Sequence, residues 1–238
     1  METQPTLLRD KSLEFDFEER PSDAPFVERV WRTQSERAGS FISVAAIQWE
    51  MVVMKYHGQA TLTVRGPATK ATPADFPARA EFFGIVFKLG TFIPQLPTIN
   101  RLDRNDVILP EATRKTFWLN SSAWQFPDYA NADAFVCQLV RDGLLVQDSV
   151  VDAVLRDEPA PLSIRSLQYR FLRATGLTHK VIQQIERARH ARALLTQGTP
   201  ILDVVSEAGY FDQAHLTHSL KRFMGQTPAQ LTRVRHSD

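Results

Sequence analysis

Two spacings of apolar residues divide the chain. Up to about Pro127 they fall in short runs: Phe41-Ile42-Ser43-Val44-Ala45-Ala46-Ile47, Glu50-Met51-Val52-Val53-Met54-Lys55-Tyr56, Thr61-Leu62-Thr63-Val64-Arg65, Phe82-Phe83-Gly84-Ile85-Val86-Phe87-Lys88-Leu89 and Asp106-Val107-Ile108-Leu109. Runs of this length, rich in β-branched and aromatic residues, predict strands. His57-Gly58-Gln59 predicts a hairpin turn between the second and third runs. Gly66-Pro67, Pro73, Pro77, Pro94, Pro97 and Pro110 punctuate the series. Several short strands so spaced imply a small barrel, a cupin-like one included, or a sandwich.

After Pro127 the period becomes helical. Phe135, Val136, Leu139 and Val140 share one helix face, with Asn131 placed to cap it and Gly143 to end it. Asp148 opens a second helix through Val150, Val151, Val154 and Leu155, and no strand pattern follows. These changes predict an α+β chain with a boundary near residue 145. A β-rich domain over 1–145 ends in a helix, and an all-α domain covers 147–238.

The last third also matches itself at an offset of 49 residues. Arg173, Gly176 and Thr178 recur as Arg222, Gly225 and Thr227. Leu167 faces Leu216, Phe171 faces Leu220, Ile182 faces Leu231, and the cap-type residues Ser163 and Asp212 coincide. In the second copy, Ile201 to Ala208 predicts a short helix, Gly209-Tyr210 a turn, and Asp212 the cap of a helix over Gln213–Phe223. Leu216, Leu220 and Phe223 form its inward stripe, leaving Gln213, His215, Thr217, His218 and Lys221 outside. In the first copy Pro159-Ala160-Pro161 replaces the glycine turn. Ser163 caps Ile164–Arg173, with Leu167 and Phe171 inward and Arg165, Ser166, Gln168, Tyr169 and Arg170 outward. Helix, turn and a second helix with a polar outer face is the layout of a helix-turn-helix. A long helix, His179 to Leu195, joins the copies and spans roughly 25 Å, against the ~34 Å between successive major-groove faces of one side of a duplex.

Charge agrees with this layout. Residues 159–238 carry eleven Lys and Arg against five Asp and Glu, a net +6, while 1–158 net −5. A basic end on an acidic body points to a polyanion partner. Other functions lack their residues. Cys137 is the only cysteine and His57 the only histidine of the β-rich part, too few for a Cys-rich zinc site or a histidine metal centre. No nucleophile–histidine–carboxylate set and no glycine-rich phosphate loop appears, so the chain is read as no enzyme, with no metal and no cofactor. Neither a signal peptide nor a run of ~18 apolar residues is seen, which predicts a cytoplasmic protein without a membrane partner. Trp49, Tyr56, Phe87, Trp118 and Trp124 are read first as core, with an effector pocket as the alternative.

Several separate motifs then carry a resemblance. They are Leu162-Ser163-x-Arg165-Ser166-Leu167-Gln168-x-Arg170-Phe171, Thr175-Gly176, Gln184-Ile185-Glu186-Arg187-Ala188-Arg189, Ala208-Gly209-Tyr210-Phe211-Asp212-Gln213-Ala214-His215-Leu216, Lys221-Arg222 and Gly225-Gln226-Thr227-Pro228. This stretch resembles the AraC/XylS family of bacterial transcription regulators. The resemblance implies double-stranded promoter DNA as partner, with the two recognition helices in adjacent major-groove segments. It places Arg165, Ser166, Gln168, Tyr169 and Arg170 on the first recognition helix. Gln213, Ala214, His215, Thr217, His218, Lys221 and Arg222 lie on the second. Arg165, Gln168, Gln213 and His215 suit base edges, and Arg170, Arg173, Lys221 and Arg222 suit phosphates or the strut. Tyr169 and His218 stand where the family often has a base-reading arginine, which implies a different target sequence. Trp49-Glu50, Arg65-Gly66-Pro67, Gly84-Ile85-Val86-Phe87, Gly90-Thr91-Phe92, Leu109-Pro110 and Phe117-Trp118-Leu119 resemble a subgroup in which a β-rich sensor precedes this domain. That resemblance names no ligand; a small-molecule effector, RNA polymerase and a second copy of the chain in a homodimer stay open as further partners.

Overall fold

The central hairpin joins β4 (Glu50–Tyr56) to β5 (Gln59–Arg65) through His57-Gly58. Both loop residues have positive φ, as a type I′ turn requires. The computed structural model describes residues 17–96, 102–103, 106–156, 158–159 and 162–233; Pro97, Ala160, Pro161 and His236 lie outside them. The hairpin belongs to an antiparallel six-stranded sheet, ordered β1 (Glu18–Arg20), β2 (Val27–Ser35), β7 (Ala80–Phe87), β4, β5, β9 (Val107–Ile108). Three smaller sheets pair β3 (Gly39–Ser43) with β6 (Thr72–Phe76), β8 (Thr91–Phe92) with β13 (Val146–Gln147), and β10 (Glu111–Thr113), β11 (Thr116–Leu119) and β12 (Ser122–Gln125) in series. The β-rich half is thus a set of open sheets, and no closed barrel forms among the described residues.

Both faces of the large sheet are covered, which explains the continuous apolar runs. Met51, Val53, Leu62, Val64, Ile85 and Phe87 pack with Phe117, Trp124 and α1 (Ala132–Arg141) in one core. On the opposite face Val52, Val86 and Trp31 cluster beside Phe17. Trp31 pairs with Gly84 across β2 and β7, where a Cβ would lie 2.2 Å from the indole, so only glycine fits beneath the ring. Trp49 stacks on Phe87 with centroids 4.0 Å apart, and Trp124 is buried. These aromatics are core; Trp118 is exposed.

The strand expected over Phe41–Ile47 ends at Ser43. Val44, Ala45 and Ile47 leave the sheet and enter the core of the helical half. Two strands with weak patterns are β2, where a buried Arg29 interrupts the apolar run, and β6, an edge strand that tolerates Pro73. Asn131 sits at the N-cap of α1 without a side-chain cap; its Oδ1 accepts the Asp128 N–H instead. Gly143 follows α1 with φ 67°.

The C-terminal half is all helix: α2 (Ser149–Leu155), α3 (Ile164–Thr175), α4 (His179–Gln197), α5 (Ile201–Glu207), α6 (Gln213–Met224) and α7 (Pro228–Arg233). Ile182, Ile185, Ala188, Ala191 and Leu195 of α4 form its buried axis, against Phe171 of α3, Val204 of α5 and Leu216, Leu220 and Phe223 of α6. Leu155, the last residue of α2, is exposed. No described helix is long and apolar enough to cross a membrane.

Candidate nucleic-acid interface

The internal duplication reappears in the backbone. Helix α3 begins at Ile164 and α6 at Gln213, they end at Thr175 and Met224, and the next helices begin at His179 and Pro228. Ser163 Oγ accepts the Ser166 N–H at 3.2 Å, and Asp212 Oδ1 accepts the His215 N–H at 2.7 Å. These caps fix where each helix starts. Gly176 and Gly225 end them in the left-handed conformation. The supporting helices depart from the offset: α5 starts at Ile201 rather than three residues earlier, because the first turn is longer.

Each helix shows water a matching face. On α3 it is Ile164, Arg165, Gln168 and Tyr169; on α6 it is Gln213, Ala214, His215, His218 and Lys221, with Thr217 half-buried among them. The side chains of Arg165, Gln168, Gln213, His218 and Lys221 have no hydrogen-bond or ion-pair partner among the described residues. Five other candidates are already engaged. Arg170 is no free outward cation: its Nε and Nη2 donate to the two oxygens of Asp148 at 3.1 and 2.7 Å, tying α3 to the cap of α2. Ser166 Oγ lies 2.9 Å from Ser163 Oγ within the cap. Thr217 Oγ1 donates to the Gln213 carbonyl of its own helix. His215 is exposed but stands edge-on to Tyr210, centroids 5.1 Å apart. Tyr210 bonds Ser219 through its hydroxyl at 2.9 Å, and burial pushes its pKa up. The Arg222 guanidinium lies over the Phe223 ring. Ile164, an apolar residue among these polar ones, is 75% exposed on the same face, and the 49-residue offset aligns it with Gln213.

Between the two units runs α4, a helix of 19 residues. A helix of that length spans roughly 28 Å. Thr178 caps it, and the Arg189 guanidinium pairs with Glu186 at 2.8 Å while donating to the Ala45 carbonyl at 3.3 Å. Next to it, burial and then the charge of Arg189 push Arg192 down to about 10.

The β-rich half touches α6 directly. The Ala45 N–H donates to the Phe223 carbonyl at 2.8 Å and the Ala71 N–H to the Arg222 carbonyl at 2.7 Å. Two orphan carbonyls at the end of α6 are thereby satisfied from outside the helical half. An Ala46–Ala68 bridge joins the two donor loops, and Asp103 holds Thr69 through its backbone N–H, at 2.6 Å, and its hydroxyl. A cavity of about 390 Å³ lies behind these loops, with Val44, Ala46, Pro67, Ala68, Glu50 and Arg65 in its wall. Burial is the main influence on the Glu50 carboxyl and raises its pKa, against the lowering effects of Arg65 and the Trp31 indole N–H.

Residues 159–233 match the family model described as "Helix-turn-helix domain". This segment is a helix-turn-helix domain of the AraC type. A domain of this type supports DNA binding in the regulation of transcription. Among solved structures, ToxT from Vibrio cholerae O395 is similar over 92% of this chain and 97% of its own, at 9% identity and a TM-score of 0.34. A second crystal form of Vibrio cholerae ToxT gives 9% identity and 0.36 over 92% and 98%. ToxT bound to (E)-4-(8-methylnaphthalen-1-yl)but-3-enoic acid gives 10% and 0.35 over the same shares. No curated protein matches the sequence.

Proposed function

We propose that the chain is a sequence-specific regulator that places α3 and α6 in adjacent major-groove segments of one duplex. The observation that carries this is a pair of equally capped, equally long helices at equivalent places in the internal repeat. Their outer faces are exposed while their inner faces share the α4 core. In this reading Arg165, Gln168 and Gln213 read base edges, and Lys221 and Arg222 hold phosphates. Residues 147–238 form the DNA-binding part and 1–145 the regulatory part. The cavity that shares its wall with the α6 contact supports effector binding by that part; dimerisation is its other assigned role.

The test is a titration of labelled random duplex with the full chain at several salt concentrations. Affinity should fall steeply with salt as counterions are released. Lys221→Ala should lower the slope by about one, equally on all sequences. Folded protein with no salt-dependent binding at low ionic strength would overturn the reading.

A further inference from the structure

On α3 the first helical residue is Ile164, and on α6 the equivalent residue is the polar Gln213. Ile164 is 75% exposed, although nothing in the local backbone demands an aliphatic side chain there. The Ser163 cap and the Ser163–Ser166 hydroxyl contact fix the first turn, so the side chain has a set position at the leading edge of the helix. Around it on the same face stand Arg165, Gln168 and the 66% exposed Tyr169. The N-terminal residues of a recognition helix are those that meet base edges. In the major groove, thymine alone among the bases presents an apolar group, its C5-methyl.

We propose that Ile164 is a specificity-determining residue that selects thymine by packing on its C5-methyl. This rests on the reading that α3 enters the major groove. The two recognition helices then read by different chemistry at their leading residue: α6 by the hydrogen bonds of Gln213, α3 by a van der Waals contact that excludes water from a methyl. Arg165 and Gln168, one and four residues on, supply hydrogen bonds to the neighbouring bases. Ile164 touches no buried core, so its replacement leaves folding intact.

The experiment selects bound duplexes from a random pool with the full chain, its Ile164→Ala and Ile164→Val variants, and Gln168→Ala as reference. The wild type should enrich a motif with one thymine whose preference Ile164→Ala abolishes, Ile164→Val retains and Gln168→Ala leaves in place. Deoxyuridine at that position removes only the methyl. It should weaken the wild type about fourfold, the worth of one buried methyl group, and leave Ile164→Ala unchanged. A motif unaffected by Ile164→Ala, or an equal loss with deoxyuridine for both proteins, overturns this proposal while the DNA-binding reading stands. Failure to enrich any motif overturns both.

Discussion

Gly225 is the position where the contact between the two halves can be tested with one methyl group. It ends α6 at φ 71°, and a Cβ there would lie 2.6 Å from Ile42 Cγ2 and 3.1 Å from Ala71 Cβ. Ala71 is the residue whose N–H bonds the Arg222 carbonyl. Gly225→Ala therefore adds two costs. The left-handed backbone costs an alanine about 1–2 kcal/mol, and the overlap with Ile42 adds about 1–3 kcal/mol of overpacking. Gly143, which follows α1 at φ 67° with nothing within 4 Å of its Cβ position, isolates the first cost. Gly143→Ala should lose about 1–2 kcal/mol and Gly225→Ala about 2–5 kcal/mol. The excess should shrink when Ile42→Ala removes the clashing methyl, giving a coupling energy between residues 42 and 225. Urea unfolding followed by tryptophan fluorescence measures all four variants. DNA affinity of Gly225→Ala should change alongside stability, because the displaced segment is the end of α6, the second of the two proposed recognition helices. Equal losses at 143 and 225, or no coupling to Ile42, would refute the docking of the β-rich half on α6.

Two further outcomes follow. Gln213→Ala should cost about 1–3 kcal/mol on a selected site and relax preference at one base pair, whereas an equal loss on random DNA would remove it from base reading. Glu50→Gln tests the half-buried carboxyl. Its folded pKa is raised, so its contribution is fully present below the unfolded value, 4.5, and is lost as pH rises through the folded value. The stability advantage of the Gln variant over the wild type should therefore grow from pH 4.5 toward neutrality in urea midpoints. A pH-independent difference would contradict the burial argument.

What the sequence makes legible here is what local chemistry determines. Ser163 and Asp212 as caps, and Gly143 as a stop, declare their helices because each acts within one turn. The His57-Gly58 turn is local in the same way. Long-range contacts leave no such mark. Phe41–Ile47 has the pattern of one strand, but Ala45 is claimed by Phe223, far along the chain. Within the interface, side-chain type indicates exposure but not prior engagement. Arg170 is bound by Asp148, and His215 leans on Tyr210, through contacts that helical spacing does not encode. Ile164 is the reverse case: residue type suggests a core, and only alignment with Gln213 places it outward.

The central claim, two reading helices on one chain, is tested most directly by dimethyl sulfate interference on a duplex enriched by the full chain, since guanine N7 lies in the major groove. Two sensitive segments centred about 10 base pairs apart on one face are expected. Gln168→Ala should alter interference in one segment and Gln213→Ala in the other. A single segment, or both substitutions acting on the same one, would contradict the account.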